Sequence, residues 1–262
     1  MSENQYIQKD IMEFCNRVLD SSGEVAMKYF RQIRSLSLKG DTSPVTQADH
    51  DIESLIREEI NIAYPEHNII GEEFSDEKKK SDFTWYIDPI DGTRSFISGK
   101  RDFGTLLSLS FKNEIVTGVI DCPALQERWG SYTVGKTYLN GKETVCRAVK
   151  NLEDSVMATT SSHEFGLHKW RAYQSLEQSV NVTTTGSDCY NYGLLVSGYI
   201  DLVAEKLTAP YDYLPLVKIV EGAGGVITDW GGNKLPLDGE NIYVLAAASP
   251  ELHMQALAKL EH

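Results

Sequence analysis

The sequence predicts a layered sandwich of helices and sheets, of the α/β or α+β class. Three observations carry this: two helical segments open the chain, a run of short strands with tight connections follows, and the second half alternates strands with helices. Elements in that order bury their apolar faces best as stacked layers. The 262 residues are 41% hydrophobic and 24% charged, an ordinary globular composition. At roughly 150 residues per domain, they fit one compact unit of two intimate halves, 1–150 and 151–262.

Ile7 to about Arg34 carries Ile7, Ile11, Phe14, Val18 and Leu19 at helical spacing, with Gly23 marking either a break or a close helix contact. Lys39 to Pro44 reads as a loop. Val45 to Ala63 is a second helix with Ala48, Ile52, Leu55, Ile56 and Ile60 on one face, closed by Pro65. Asn68–Ile70 and Thr84–Ile87 are strands, and the charged stretch Asp76–Asp82 between them reads as a solvated loop. Leu106–Phe111, Ile115–Asp121 and Glu127–Tyr132 form an antiparallel meander. Lys136–Asn140 and Glu143–Val145 form a hairpin around Asn140-Gly141, a pair suited to positive φ. Strands follow at 155–159, 181–184 and 202–205, alternating with helices at 170–178, 190–197 and 213–223. Strands near Val226 and Tyr243 close the chain.

Composition excludes several classes. No apolar run reaches the ~20 residues of a membrane span, and Met1–Gln5 has neither a basic nor an apolar leader, so no secretory signal is expected. Cys15, Cys122, Cys146 and Cys189 are scattered without a C-x-x-C pair, which fits free thiols in a cytoplasmic protein. With 25 basic against 38 acidic residues the net charge is −13, which disfavours direct nucleic-acid binding. An acidic protein that handles phosphate must bring its own positive charge.

The informative stretch is Trp85-Tyr86-Ile87-Asp88-Pro89-Ile90-Asp91-Gly92-Thr93. A strand runs into two carboxylates joined through a rigid proline, then into a Gly-Thr that permits a tight turn. A helix starting near Thr93 would add an anion-binding N-terminus. Hard oxygen ligands beside a phosphate cradle are what metal-assisted phosphoryl chemistry needs. A turn and an Asp-capped helix fit the same residues, as a solvated face fits Gly71-Glu72-Glu73 and an N-cap fits Asp212. The combination carries the functional reading.

Gly71-Glu72-Glu73, then Asp88-Pro89-Ile90-Asp91-Gly92-Thr93, then Asp212 with Glu221-Gly222-Ala223-Gly224-Gly225, resemble in order and spacing the inositol monophosphatase superfamily of Mg²⁺-dependent sugar-phosphate phosphatases. Val45-Thr46-Gln47-Ala48-Asp49 matches that family's acidic residue on the second helix. The family usually has Trp before the last metal Asp. Here Tyr211 stands there, which resembles the histidinol-phosphate phosphatase branch, as do Ser187-Asp188-Cys189-Tyr190 and the run Glu221–Trp230.

The resemblance implies an αβαβα sandwich with the active site between the halves, and a homodimer. It implies that Glu72, Asp88, Asp91, Asp212 and the Ile90 carbonyl hold two or three Mg²⁺ ions. Gly92 and Thr93 donate backbone N–H groups to phosphate. Thr93 Oγ, linked to Asp49, orients and helps deprotonate a metal-bound water that attacks phosphorus in line. Thr93, Asp49, Glu72 and Asp91 are thus the expected catalytic set. Lys39 is a candidate for tuning the metal site, with a surface lysine as the alternative.

For substrate, Glu205 matches the family's substrate-contacting acid. Asp188 either caps its helix or joins Glu205 in holding a cationic amine. Arg94 either reaches substrate or sits solvated. The six histidines show no ligand spacing and read as surface or loop residues; Trp129 and Trp230 read as core or interface aromatics. The expected activity is hydrolysis of a small phosphorylated metabolite, foremost histidinol phosphate in histidine biosynthesis. The alternatives are an inositol-1-monophosphatase or broad sugar-phosphate phosphatase and, from another class, a transcription-associated binding protein.

Overall fold

The computed structural model describes residues 3–32, 44–133 and 135–261. Lys39 and the loop 39–43 lie outside them. Helix α1 (Glu3–Tyr29) and helix α2 (Pro44–Ala63) pack side by side. α1 runs unbroken through Gly23. A Cβ there would sit 3.2 Å from Pro123, so the glycine marks a close contact and not a break.

The first sheet has seven strands in chain order: β1 (Asn68–Gly71), β2 (Phe83–Asp91), β3 (Gly104–Phe111), β4 (Glu114–Cys122), β5 (Glu127–Thr133), β6 (Lys136–Leu139) and β7 (Lys142–Thr144). β1 and β2 are parallel, and β2 to β7 are an antiparallel meander. Asn140 (φ 49°) and Gly141 (φ 79°) make the expected hairpin turn. A short helix, α3 (Thr93–Ser98), follows β2.

The second half supplies β8 (Val156–Thr159), α4 (Leu167–Glu177), β9 (Val182–Thr185), α5 (Asp188–Val196), β10 (Leu202–Leu207), α6 (Pro210–Gly222), β11 (Val226–Asp229), β12 (Ile242–Ala247) and α7 (Pro250–Leu260). Its five strands are ordered β11-β12-β10-β8-β9. The sequence reading stopped before α7. Its start is written in Ser249-Pro250, where Ser249 Oγ caps the Leu252 N–H at 3.2 Å.

Strand alternation sorts the apolar residues into three cores. Trp85, Ile87, Leu107 and Leu109 meet α1 and α2 on one face of the first sheet. Tyr86 and Leu106 on its other face meet α5 and α6, which are covered from beyond by Val203, Val244 and Ala246 of the second sheet. Leu202, Ala204, Leu245 and Ala247 face α4 and α7. The result is the five-layer αβαβα sandwich, with period-two side chains serving both faces of each sheet. Trp129 and Trp230 are core residues, as expected.

One histidine is not the surface or loop residue expected, while His67 does lie in the turn between α2 and β1. His253 is buried on α7 with its Nε2 2.9 Å from Thr228 Oγ1. His67 stacks between Tyr64 and Phe83, and its Nδ1 accepts the Trp85 indole N–H at 3.1 Å. Burial lowers the pKa of both.

α6 lies so close on the first sheet that a Cβ at Gly118 would meet the Pro215 carbonyl oxygen at 1.9 Å. Backbone cannot yield as a flexible side chain can. Gly118→Ala is expected to destabilise the protein by about 3 kcal/mol, read as a lower urea midpoint; an unchanged midpoint would refute this packing.

Candidate active site

The site forms where the ends of β1, β2 and β10 meet the starts of α3, α5 and α6. There a cavity of about 220 Å³ is lined by Glu72, Asp88, Asp91 and Asp212, with Gly92 and Thr93 at its edge. Its remaining wall includes Thr160, Asp188, Tyr192 and Glu205.

Asp88 and Asp91 face one cavity because β2 bulges. In a regular strand, residues three apart point to opposite faces. Here Asp88 pairs with Leu106 and Asp91 with Gly104, so Pro89 and Ile90 together oppose the single Thr105. The extra residue restores Asp91 to the Asp88 face. Thr105 Oγ1 secures the bulge by donating to the Pro89 carbonyl at 2.8 Å. β2 therefore continues through Asp91, beyond the Ile87 end expected from sequence.

Two of the four acids accept backbone N–H bonds. Asp91 Oδ2 accepts the Cys189 N–H at 2.5 Å, joining β2 to the first turn of α5. Asp212 is the third residue of α6, not its N-cap: its Oδ2 turns back to the N–H groups of Thr208 (2.8 Å) and Ala209 (3.0 Å). Asp88 is 3% exposed, and its Oδ1 has no hydrogen-bond partner. Glu72 projects from the turn after β1. Glu53 Oε2 accepts the adjacent Glu73 N–H at 2.8 Å, and Arg57 Nε donates to Glu53 Oε1 at 2.7 Å.

Burial, then mutual repulsion, pushes these carboxyls upward. Glu72 reaches about 7, with Asp212 and Glu73 adding to desolvation. Asp88 and Asp91 rise well above the ordinary carboxylate range, by burial first and by Glu72 and Asp188 respectively next. Burial also raises Asp212, against the N–H groups of Ala209 and Thr208. Among the described residues no three His, Cys, Asp or Glu side chains are grouped so as to enclose an ion as they stand. The donor set nevertheless fits a hard divalent cation: the ligands are all oxygen, one buried oxygen has no partner, and the crowded negative charge favours a cation.

One expected link differs. Thr93 Oγ1 donates to the Ile90 carbonyl at 3.2 Å, not to Asp49. Asp49 is buried outside the cavity lining, its pKa driven to about 8 by burial and then by Glu73, Glu72 and Glu53. Arg94 stands at the mouth, paired with Glu164 at 2.7 Å.

Beside Gly92, Gly186 (φ 92°), Ser187 (φ 83°) and Asp188 (φ 41°) form a left-handed strap. For the two non-glycine residues this backbone costs roughly 1–3 kcal/mol each. Ser187 Oγ donates to Asp102 Oδ2 at 2.6 Å, and Asn191 Nδ2 to the Gly186 carbonyl at 2.7 Å. The strap sets Asp188 over Gly92, where a Cβ would lie 3.3 Å from Asp188 Oδ2. Glu205 Oε1 accepts the Thr160 N–H (2.8 Å), the Thr160 hydroxyl (2.6 Å) and the Asn191 amide (3.3 Å). Burial raises Glu205 to about 7 with Asp188 adding, and Asp188 to about 6 with Arg94 opposing. Asp102, Thr160, Asn191, Glu53 and Arg57 escaped the sequence reading. Only the last two left a sequence signal, a helical i, i+4, i+8 spacing from Asp49.

Residues 8–262 match the inositol monophosphatase family model. The chain belongs to the inositol monophosphatase family. It is 42% identical over 254 residues to the bifunctional phosphatase IMPL2, chloroplastic, of Arabidopsis thaliana, covering 94% of this chain and 73% of that protein. It is 31% identical to a histidinol-phosphatase of Chlorobaculum parvum, covering 88% and 90%. Among solved structures, an inositol monophosphatase from Zymomonas mobilis superposes with a TM-score of 0.91 at 36% identity, covering 97% and 98%. The protein is a phosphomonoesterase of this metal-dependent family, and no helix among the described residues is long and apolar enough to cross a membrane.

The raised carboxyl values carry a sign. Asp188 at about 6 and Glu205 at about 7 hold protons in the folded state that the unfolded chain, near ~4, has released. The folded state therefore binds more protons between those limits, and stability falls as pH rises through the window. With chelator present, the urea midpoint is expected to be lower at pH 7.5 than at pH 5.5; a higher midpoint at pH 7.5 would contradict the burial-raised values.

Proposed function

We propose that this family member is a Mg²⁺-dependent histidinol-phosphate phosphatase. The carrying observation is the pair of buried acids Asp188 and Glu205 in the wall of this one cavity, with Asp188 set beside Gly92. Both are raised by burial, and the Thr160 and Asn191 hydrogen bonds of Glu205 all fall on Oε1. Buried acids that lack full compensation are costly and favour a cationic partner. Histidinol phosphate carries an ammonium and a titrating imidazole; inositol phosphate offers neutral hydroxyls. The likeness to the Chlorobaculum histidinol-phosphatase supports the same reading. The likeness to the Zymomonas inositol monophosphatase favours inositol 1-phosphate as the second reading.

Glu72, Asp88, Asp91, Asp212 and the Ile90 carbonyl are the residues to hold Mg²⁺. Two or three bound ions would neutralise phosphate charge, activate water and stabilise the departing alkoxide. The chain's own part is positioning. Gly92 lies in the left-handed region (φ 82°), which opens the β2–α3 turn so that the Gly92 and Thr93 N–H groups can meet phosphate oxygens. Thr93 Oγ orients the attacking water, and the Glu72 carboxylate takes its proton. Asp49 lies beside Glu72 and Glu73, where burial and their charges favour its protonated form. Asp188 and Glu205 hold the leaving group, so that the scissile oxygen points at the acidic cluster. Phosphoryl transfer asks for this placement more than for covalent help.

Phosphate release from histidinol phosphate and inositol 1-phosphate, measured in parallel with Mg²⁺, tests the reading. Histidinol phosphate is expected to be preferred, and Asp91→Asn to lower turnover of both at least about 100-fold. Asp188→Asn is expected to cut the preference for the cationic ester tenfold or more, because its ammonium loses a buried counter-charge. An unchanged preference in Asp188→Asn would discard the cation reading and leave the metal chemistry standing. Millimolar Mg²⁺ is also expected to raise the melting temperature, since it binds the folded state alone.

A further inference from the structure

Behind the cavity, one face of α2 carries Asp49, Glu53 and Arg57. Glu53 is fully buried, yet its carboxylate is fully engaged: Oε1 accepts from Arg57 Nε at 2.7 Å and Oε2 from the Glu73 N–H at 2.8 Å. Arg57 extends the hold. Its other nitrogens donate to the Phe74 carbonyl at 3.2 Å and to Glu77 Oε1 at 3.1 Å. The backbone from Glu73 to Asp76 makes no backbone-to-backbone hydrogen bond among the described residues. Its recorded backbone anchors are the bond to Glu53 and the bond to Arg57. The fit at the strand end is close as well. A Cβ at Gly71 would lie 2.2 Å from Glu53 Oε1, so only glycine lets this carboxylate close on the turn.

Glu72 sits between Gly71 and Glu73, so whatever fixes those two residues fixes where its carboxylate enters the cavity. A preset ligand binds a cation better than one that must be ordered by it, because the ordering cost is met on folding. A guanidinium fork can reach three acceptors at once; an ammonium cannot hold that planar pattern.

We propose that Glu53 and Arg57 are positioning residues that preset Glu72 for a divalent cation, and so govern cation affinity without touching substrate. This rests on the reading of the acidic cavity as a cation site, and not on which phosphate ester is cleaved.

The test is Mg²⁺ binding by calorimetry to the full chain without substrate, beside the Mg²⁺ dependence of turnover. Glu53→Gln keeps shape and removes charge. Arg57→Lys keeps charge and removes the fork. Both are expected to weaken Mg²⁺ binding about tenfold or more and to raise half-saturating Mg²⁺ in step, with the lost rate recovered as Mg²⁺ is raised. Glu53→Gln with a burial too costly to fold would leave Arg57→Lys to decide. Wild-type Mg²⁺ affinity in a folded Arg57→Lys variant would overturn the proposal. So would a rate loss that high Mg²⁺ does not recover, which a general structural defect would give. Failure of the wild-type chain to bind Mg²⁺ would instead remove the cation reading itself, and the proposal with it.

Discussion

Four carboxylates sharing about 220 Å³ repel one another, and the surrounding structure is organised around holding them in place. Each is restrained by something rigid. Asp88 and Asp91 ride a bulged strand pinned by Thr105, Asp91 is tied to the α5 backbone, and Asp212 folds back on its own helix start. Glu72 stands on a turn held from α2. Their upward-shifted pKa values express burial first and mutual repulsion next, and a divalent cation is the natural relief. The proposed cation site would resolve the difficulty of a −13 chain handling phosphate, since the acids would gather the positive charge that the sequence lacks.

The same arrangement couples the halves of the molecule. Asp91 belongs to the first sheet and its hydrogen-bond partner Cys189 to the second half. Next to Cys189 is the strained strap that carries Asp188, held in turn by Asp102 from the first half. The acids proposed to face metal and those proposed to face the leaving group are therefore set by one chain of contacts across the layer boundary. Strain at Ser187 and Asp188 persists because hydrogen bonds from both sides over-determine it.

Much of this was legible in the order of residues. The amphipathic period of α2, the meander and the Asn140-Gly141 hairpin are local patterns, and they appear with boundaries shifted by a few residues at most. The acidic motif named Glu72, Asp88, Asp91 and Asp212, and all four line one cavity. Less legible were features that depend on a partner distant in sequence. α7 has a capped start, but its periodic pattern was passed over at the chain end. His253 looked like a surface histidine until α7 packed it against Thr228. Thr93 was expected to meet Asp49, yet the turn geometry offers its hydroxyl the nearer Ile90 carbonyl.

By itself the sequence determined the layered class, the strand and helix periods, and the identity of the oxygen-rich acids, because these follow from spacing and residue chemistry along the chain. Only the tertiary structure decided which way those acids point. A bulge changes the parity of a strand, and that is visible only against the neighbouring strand. It also decided the company of each charge: Glu53 with Arg57, Glu205 with Thr160 and Asn191, Ser187 with Asp102. Whether a buried carboxylate is a ligand, a recognition group or a brace depends on what lies within about 3 Å of its oxygens, and residues far apart in the chain supply those neighbours.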